Sequence, residues 1–182
     1  MAALPRHDIS TTIEQAISLS AEGYRVTAHL PARAYQTEDQ LRRDLDKLRT
    51  GCVSDLLIVS GDPRNTRPAY SSSAELAAAI EQNARGQFRI GVAGYPEGHP
   101  VTGLDLASLQ AKQKYASSLV TQMCIDPKVV ADYSGRLRNA AVNLPILGRH
   151  TRPSGQDASH GLGQNGRRHD ITLPTWQDAR DG

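Results

Sequence analysis

The sequence predicts an α/β chain: a parallel sheet whose strands are joined by right-handed helical crossovers. Three observations carry this. Strand centres near Val26, Leu57, Val92 and Val120 recur about 30 residues apart, the length of one βαβ unit. Residues 55–60 (DLLIVS) are apolar on both faces, as in a strand covered on two sides. Between the strands lie segments of helical period with capping residues before them and glycines after them. Parallel strands so connected take right-handed crossovers. An open doubly wound sheet and part of a (β/α)8 barrel both satisfy this rhythm, and periodicity does not choose between them.

The elements follow in order. Thr11-Thr12-Ile13-Glu14 reads as a capping box, with Ile13, Ala16, Ile17 and Ser20 at helical spacing and Gly23 as the stop. Residues 24–30 (YRVTAHL) read as a strand. Thr37-Glu38-Asp39-Gln40 is a second capping box; Leu41, Leu45 and Leu48 form its apolar stripe, and Gly51 sits where a C′ glycine belongs. The strand at 55–60 comes next. Ser72-Ser73-Ala74-Glu75 opens a third helix, with Leu76, Ala79 and Ile80 inward and Gly86 after it. Residues 88–95 (FRIGVAGY) are a strand, 104–116 a helix, and 119–125 (LVTQMCI) a strand. Asp126-Pro127 starts a fifth helix with Asp as N-cap and Pro at N1. Leu144-Pro145-Ile146-Leu147 begins a fifth strand. From Arg149 to Gly182 apolar periodicity stops, so the expected organisation is a lead at 1–10, a β/α domain at 11–148 and a polar, low-order tail at 149–182.

Length and composition bound the function. A chain of 182 residues is one domain, or one domain with a tail, and is shorter than the roughly 250 residues of a complete eight-stranded barrel. It is 38% apolar and 22% charged, with mean hydropathy −0.47, so a soluble fold is expected. No run reaches the ~18 apolar residues of a membrane span, and the first residues show no secretory leader. Two cysteines, Cys52 and Cys124, make neither a disulfide scaffold nor a zinc site, which points to the cytoplasm. Net charge +2 does not call for nucleic acid or membrane as a partner.

In parallel α/β folds ligands sit at the C-terminal ends of the strands. The residues there are His29, Gly61 and Asp62, the segment from Tyr95 to His99, and Gln122. Each has a structural alternative. Ser60-Gly61-Asp62-Pro63 is also a good turn, and the Tyr95–Pro100 segment also a stiff loop. His29 alone is more often a satisfied strand-end histidine. Gln122 lies among apolar neighbours and, if buried, needs partners. Arg64, Arg67 and Lys112 read by themselves as solvated charges, and Cys124 beside Met123 as core. No GxGxxG, P-loop, HExxH or GxSxG occurs.

Val26-Thr27-Ala28-His29-Leu30, Ser60-Gly61-Asp62, Gly91-Val92-Ala93-Gly94-Tyr95-Pro96-Glu97-Gly98-His99-Pro100 and Val120-Thr121-Gln122 occur in this order. Their order and spacing resemble the methylenetetrahydrofolate reductase family over residues 10–148. The YPEGHP segment is the most specific part, and TAHLPAR resembles a shorter, atypical bacterial branch. The resemblance implies part of a (β/α)8 barrel of about four βα units plus a strand stub. It implies FAD as cofactor, NAD(P)H as co-substrate, and reduction of 5,10-methylenetetrahydrofolate to 5-methyltetrahydrofolate in one-carbon and methionine metabolism. By position, His29, Gly61, Asp62, Ala93, Tyr95 and His99 match cofactor contacts. Asp105, Ser108 and Lys112 fall near further ones. Asp62 also matches the acid close to flavin and folate, and Gln122 the amide that binds the pterin; these two are the expected catalytic pair.

The sequence also departs from the family. Two strands that precede the first matched one have no counterpart, and one of them carries the family's proton-donating glutamate; Glu14, on a helix, does not replace it. Losing a general acid costs about 10²–10⁴-fold. The expected explanations are a truncated or frame-shifted product, one part of a split protein, or a domain that closes by forming a homo-oligomer; the loss of pattern at Arg149 favours the first. The alternative function is a non-catalytic flavin- or folate-binding module dependent on a partner such as the missing barrel half. Nucleic-acid binding by the tail is disfavoured, because Asp157, Asp170, Asp178 and Asp181 nearly cancel its arginines.

Overall fold

The computed structural model describes residues 8–63, 67–99, 106–124 and 126–148. The lead at residues 1–7, Arg64, Asp105 and the tail at 149–182 lie outside the described residues. Helices α1 (Ile9–Ala21), α2 (Glu38–Thr50), α3 (Ser73–Asn83), α4 (Leu106–Lys112) and α5 (Pro127–Asn139) alternate with strands β1 (Thr27–Pro31), β2 (Asp55–Val59), β3 (Arg89–Gly94), β4 (Ser118–Thr121) and β5 (Ile146–Leu147). All neighbouring strands are parallel, and their spatial order is their chain order, β1 to β5.

That order resolves what periodicity left open. A doubly wound sheet reverses its strand order at a switch point. Here every crossover steps the same way, as in a barrel. Right-handed crossovers that all step one way put their helices on one face of the sheet. Adjacent helices accordingly pack in sequence, α1 on α2, α2 on α3 and α3 on α4. The fold is a five-stranded parallel α/β sheet of the partial (β/α)8 kind.

Register divides the strand residues between two faces. Leu30, Ile58, Val92, Leu119 and Ile146 are paired in succession and face the helices, where the first four form the core with Leu41, Leu48, Leu76, Ile80 and Leu137 and the half-buried Ile146 packs against it. His29, Leu57, Gly91 and Ser118 are likewise paired and occupy the other face. In a closed barrel that face points inward. Among the helix-side residues, Tyr35 is fully buried and meets Tyr70 edge-on with ring centroids 6.4 Å apart.

Several boundaries differ from the sequence reading. Helix α1 starts with Asp8 as N-cap, accepting from the Ser10 amide at 3.3 Å, rather than at the Thr11 box. The extra turn buries Ile9, and Thr12 becomes an interior residue. Strand β1 begins at Thr27, not Tyr24, which is exposed. Helix α4 is 7 residues long and stops at Lys112. Strand β4 ends at Thr121, so Gln122 follows it rather than lying within it. Gly51 is not the left-handed cap residue; its φ is −81°, and Cys52 takes the positive φ of 58°. Gly51 is small because a Cβ there would meet the Ile17 side chain at 2.6 Å, where α1 crosses α2.

Three helix caps and the burial of Cys124 are as the sequence indicates. Thr37 caps α2 by accepting from the Gln40 amide at 3.2 Å, and Gln40 accepts in return from the Gln36 amide at 3.1 Å. Ser72 caps α3, Asp126 caps α5 with Pro127 behind it, and Cys124 is buried. Among the described residues no helix is long and apolar enough to cross a membrane, and no cluster of three His, Cys, Asp or Glu could hold a metal.

Candidate functional site

The C-terminal ends of the strands share one edge of the sheet because every strand runs the same way. At that edge a cleft of about 360 Å³ is lined by Tyr95, Pro96, Glu97, Gly98, His99, Gln122 and Met123. Its volume lies at the small end of ligand sites, roughly 300–1,000 Å³.

The cleft is built from β3 and β4. Gly94 ends β3 where it must lie close to its neighbours: a Cβ there would strike the Leu119 side chain and come within 2.8 Å of the Tyr133 hydroxyl. Tyr95-Pro96-Glu97-Gly98 then turns back, with the Gly98 amide donating to the Tyr95 carbonyl at 3.0 Å. The turn brings Tyr95 and His99 together edge-on, ring centroids 4.6 Å apart. The Gln122 amide donates to the Gly94 carbonyl at 2.7 Å and carries the β3–β4 ladder one residue past the strand. Its side chain is exposed at the cleft. The expected buried amide is therefore corrected: β4 stops one residue short of it. Burial pushes the Tyr95 hydroxyl up, so at neutral pH it is an uncharged donor.

The end of β2 is built separately. Gly61 has φ +76°, and a Cβ on it would meet Pro31 at 2.8 Å. Arg33, in the short 3-10 turn after β1, binds this end twice. Its amide donates to the Ser60 carbonyl at 3.1 Å, and its guanidinium to the Gly61 carbonyl. Ser60 Oγ accepts from the Ser73 amide at 3.3 Å, and Lys112 Nζ donates to Ser73 Oγ at 3.3 Å. Lys112 is thus no solvated charge: it is only 8% exposed, between α4 and the start of α3. Asp62 is exposed beyond Gly61.

The structure brings Tyr95, His99 and Gln122 into one cleft. His29 and Ala93 are half-buried on the inner sheet face, and neither they nor Asp62 line the cleft. Ser108 is half-buried on α4. Asp105 lies outside the described residues. The sequence reading missed Arg33, Ser73 and Arg136. Arg136 Nη2 donates to the Pro96 carbonyl at 3.2 Å across 40 residues of chain. No local pattern marks a side chain whose partner is a distant carbonyl.

Compared with known proteins, the chain matches the family model described as Methylenetetrahydrofolate reductase over residues 4–149. The chain belongs to the methylenetetrahydrofolate reductase family. It is also 33% identical over 108 residues to Methylenetetrahydrofolate reductase 1 of Schizosaccharomyces pombe (strain 972 / ATCC 24843). That match covers 54% of this chain and 18% of the relative, so the chain spans a small part of the relative's length. Membership agrees with the one-way strand order.

Proposed function

We propose that the chain is part of a flavin-dependent reductase that converts 5,10-methylenetetrahydrofolate to 5-methyltetrahydrofolate with NAD(P)H. The observation that supports this best is the meeting of the YPEGH loop with Gln122 in one cleft at the C-terminal sheet edge. FAD, when bound, supplies the hydride relay between nicotinamide and folate. The residues fit such a group. Ala93, small and half-buried on the inner face of β3, leaves a low surface near the end of the strand for a flat ring. Tyr95 and His99 offer an aromatic wall with polar tips.

In this reading Gln122 pairs its amide with the donor and acceptor edge of the pterin. Asp62 places a negative charge beside the ring and tunes how readily electrons move. Gly61 gives Asp62 its approach. His29, Ala93, Tyr95 and His99 hold the cofactor. Asp105, Ser108 and Lys112 contact it from the α4 side. The reading carries a cytoplasmic setting in one-carbon and methionine metabolism. It also carries a need to complete the barrel, by self-association or by a complementary segment.

The test is a visible spectrum of the folded, purified chain after FAD is supplied and the excess removed. Retained flavin bands are expected. Asp62→Asn is expected to keep the flavin but change its band shape. A folded chain without flavin overturns the cofactor assignment. Spectra of wild type and Asp62→Asn that superimpose remove Asp62 from the ring. Retained flavin without turnover by methylenetetrahydrofolate assigns binding alone.

A further inference from the structure

We propose that Arg136, on α5, is a positioning residue of the cleft: through the Pro96 carbonyl it fixes the loop that presents Tyr95 and His99. Its consequence for ligand binding rests on the functional reading above, whereas the loop geometry stands without it.

The turn at 95–98 is closed internally by the bond from the Gly98 amide to the Tyr95 carbonyl. That bond does not tie the turn to the rest of the fold. Pro96 has no N–H to offer, and it is buried, so its carbonyl is the group that needs a partner. The Arg136 guanidinium supplies one, as a charge-assisted hydrogen bond at 3.2 Å. Tyr133, one turn earlier on the same helix face, is fully buried with its hydroxyl against Gly94. Two α5 side chains therefore meet the backbone on either side of Tyr95, Arg136 by a hydrogen bond and Tyr133 by packing. The competing account is generic: a cation in the last turn of a helix offsets the helix dipole. Arg138 occupies the same last turn and supplies the control.

The experiment uses the full chain without ligand, then with FAD as the probe. Tyr95 and His99, edge-on at 4.6 Å, shift each other's ring-proton resonances. Arg136→Met is expected to move those resonances toward unstructured values and leave the far-UV spectrum unchanged, whereas Arg138→Met leaves both unchanged. Affinity for FAD is expected to fall roughly tenfold in Arg136→Met, the equivalent of ~1.4 kcal/mol. Native Tyr95 and His99 resonances in folded Arg136→Met overturn the proposal, as does an equal displacement in Arg138→Met. Should Arg136→Met not fold, Arg136→Ala decides, because it removes every side-chain donor to the Pro96 carbonyl without adding bulk. Displaced resonances there support the proposal, and native ones overturn it. Wild type that retains no FAD defeats the functional reading and leaves the resonance comparison intact.

Discussion

Gly61 and Gly94 are both glycines at strand ends, yet they are glycine for different reasons. Gly61 needs a positive φ and also lies against Pro31, so the turn before Asp62 depends on it twice. Gly94 has no such torsion requirement; it is squeezed between the Leu119 side chain and the Tyr133 hydroxyl. Gly94→Ala is therefore expected to destabilise the chain by about 1–3 kcal/mol through overpacking, read as a lower urea midpoint. A change under about 0.5 kcal/mol would mean that β3 and α5 separate easily. At this scale the sequence named the cleft residues Tyr95, His99 and Gln122, because strand ends in parallel folds are predictable places. It did not reveal that Gln122 is exposed or Lys112 buried. Both depend on where a strand or helix stops against its neighbours.

Helix starts were the most legible elements. Thr37, Ser72 and Asp126 cap as their sequences indicate, since a cap is a contact within three residues. Thr37→Ala is expected to cost about 1 kcal/mol, measured by thermal or urea unfolding, while the Gln40-to-Gln36 bond keeps the entry turn in place. An unchanged midpoint would show that packing of Leu41, Leu45 and Leu48 alone sets where α2 begins. Helix α1 starts one turn before its sequence signal, for the same reason in reverse. The Thr11 box is a good local signal, but burial of Ile9 rewards an earlier start and Asp8 can cap it. Gly51 repeats the lesson: its place suited a cap, and its cause is Ile17 on another helix.

Across the whole sheet, the edge opposite the cleft is held by charge. Asp55, at the start of β2, accepts from Arg25 at 3.1 Å and from Arg89 at 2.6 Å and 2.8 Å, so it joins the entry to β1 with β3. Burial alone would raise the Asp55 carboxyl, but the hydrogen bonds from Arg89 and Arg25 outweigh it and hold it below the usual carboxylate range. A carboxyl whose folded pKa is depressed contributes stability above its unfolded value, about 3.9, and loses it as pH falls through the folded value. Asp55→Asn is thus expected to be less stable than wild type at pH 7, with the difference shrinking below about pH 4. Urea midpoints measured from pH 7 to pH 2 check this; a constant difference would remove the carboxylate from the sheet's acid response.

The sequence by itself determined the parallel α/β class, the family, the order of the elements and which loops meet the C-terminal edge of the sheet. These are carried by period, by caps and by short motifs, all signals within a few residues of their cause. The tertiary structure decided that the strands run in chain order, which chooses the barrel arrangement over the doubly wound one. It also decided which glycines are packing residues and which distant side chains, Arg33, Ser73 and Arg136, hold the strand-end loops. Those outcomes rest on contacts between segments tens of residues apart, where handed crossovers and close packing, not local preference, select the partner.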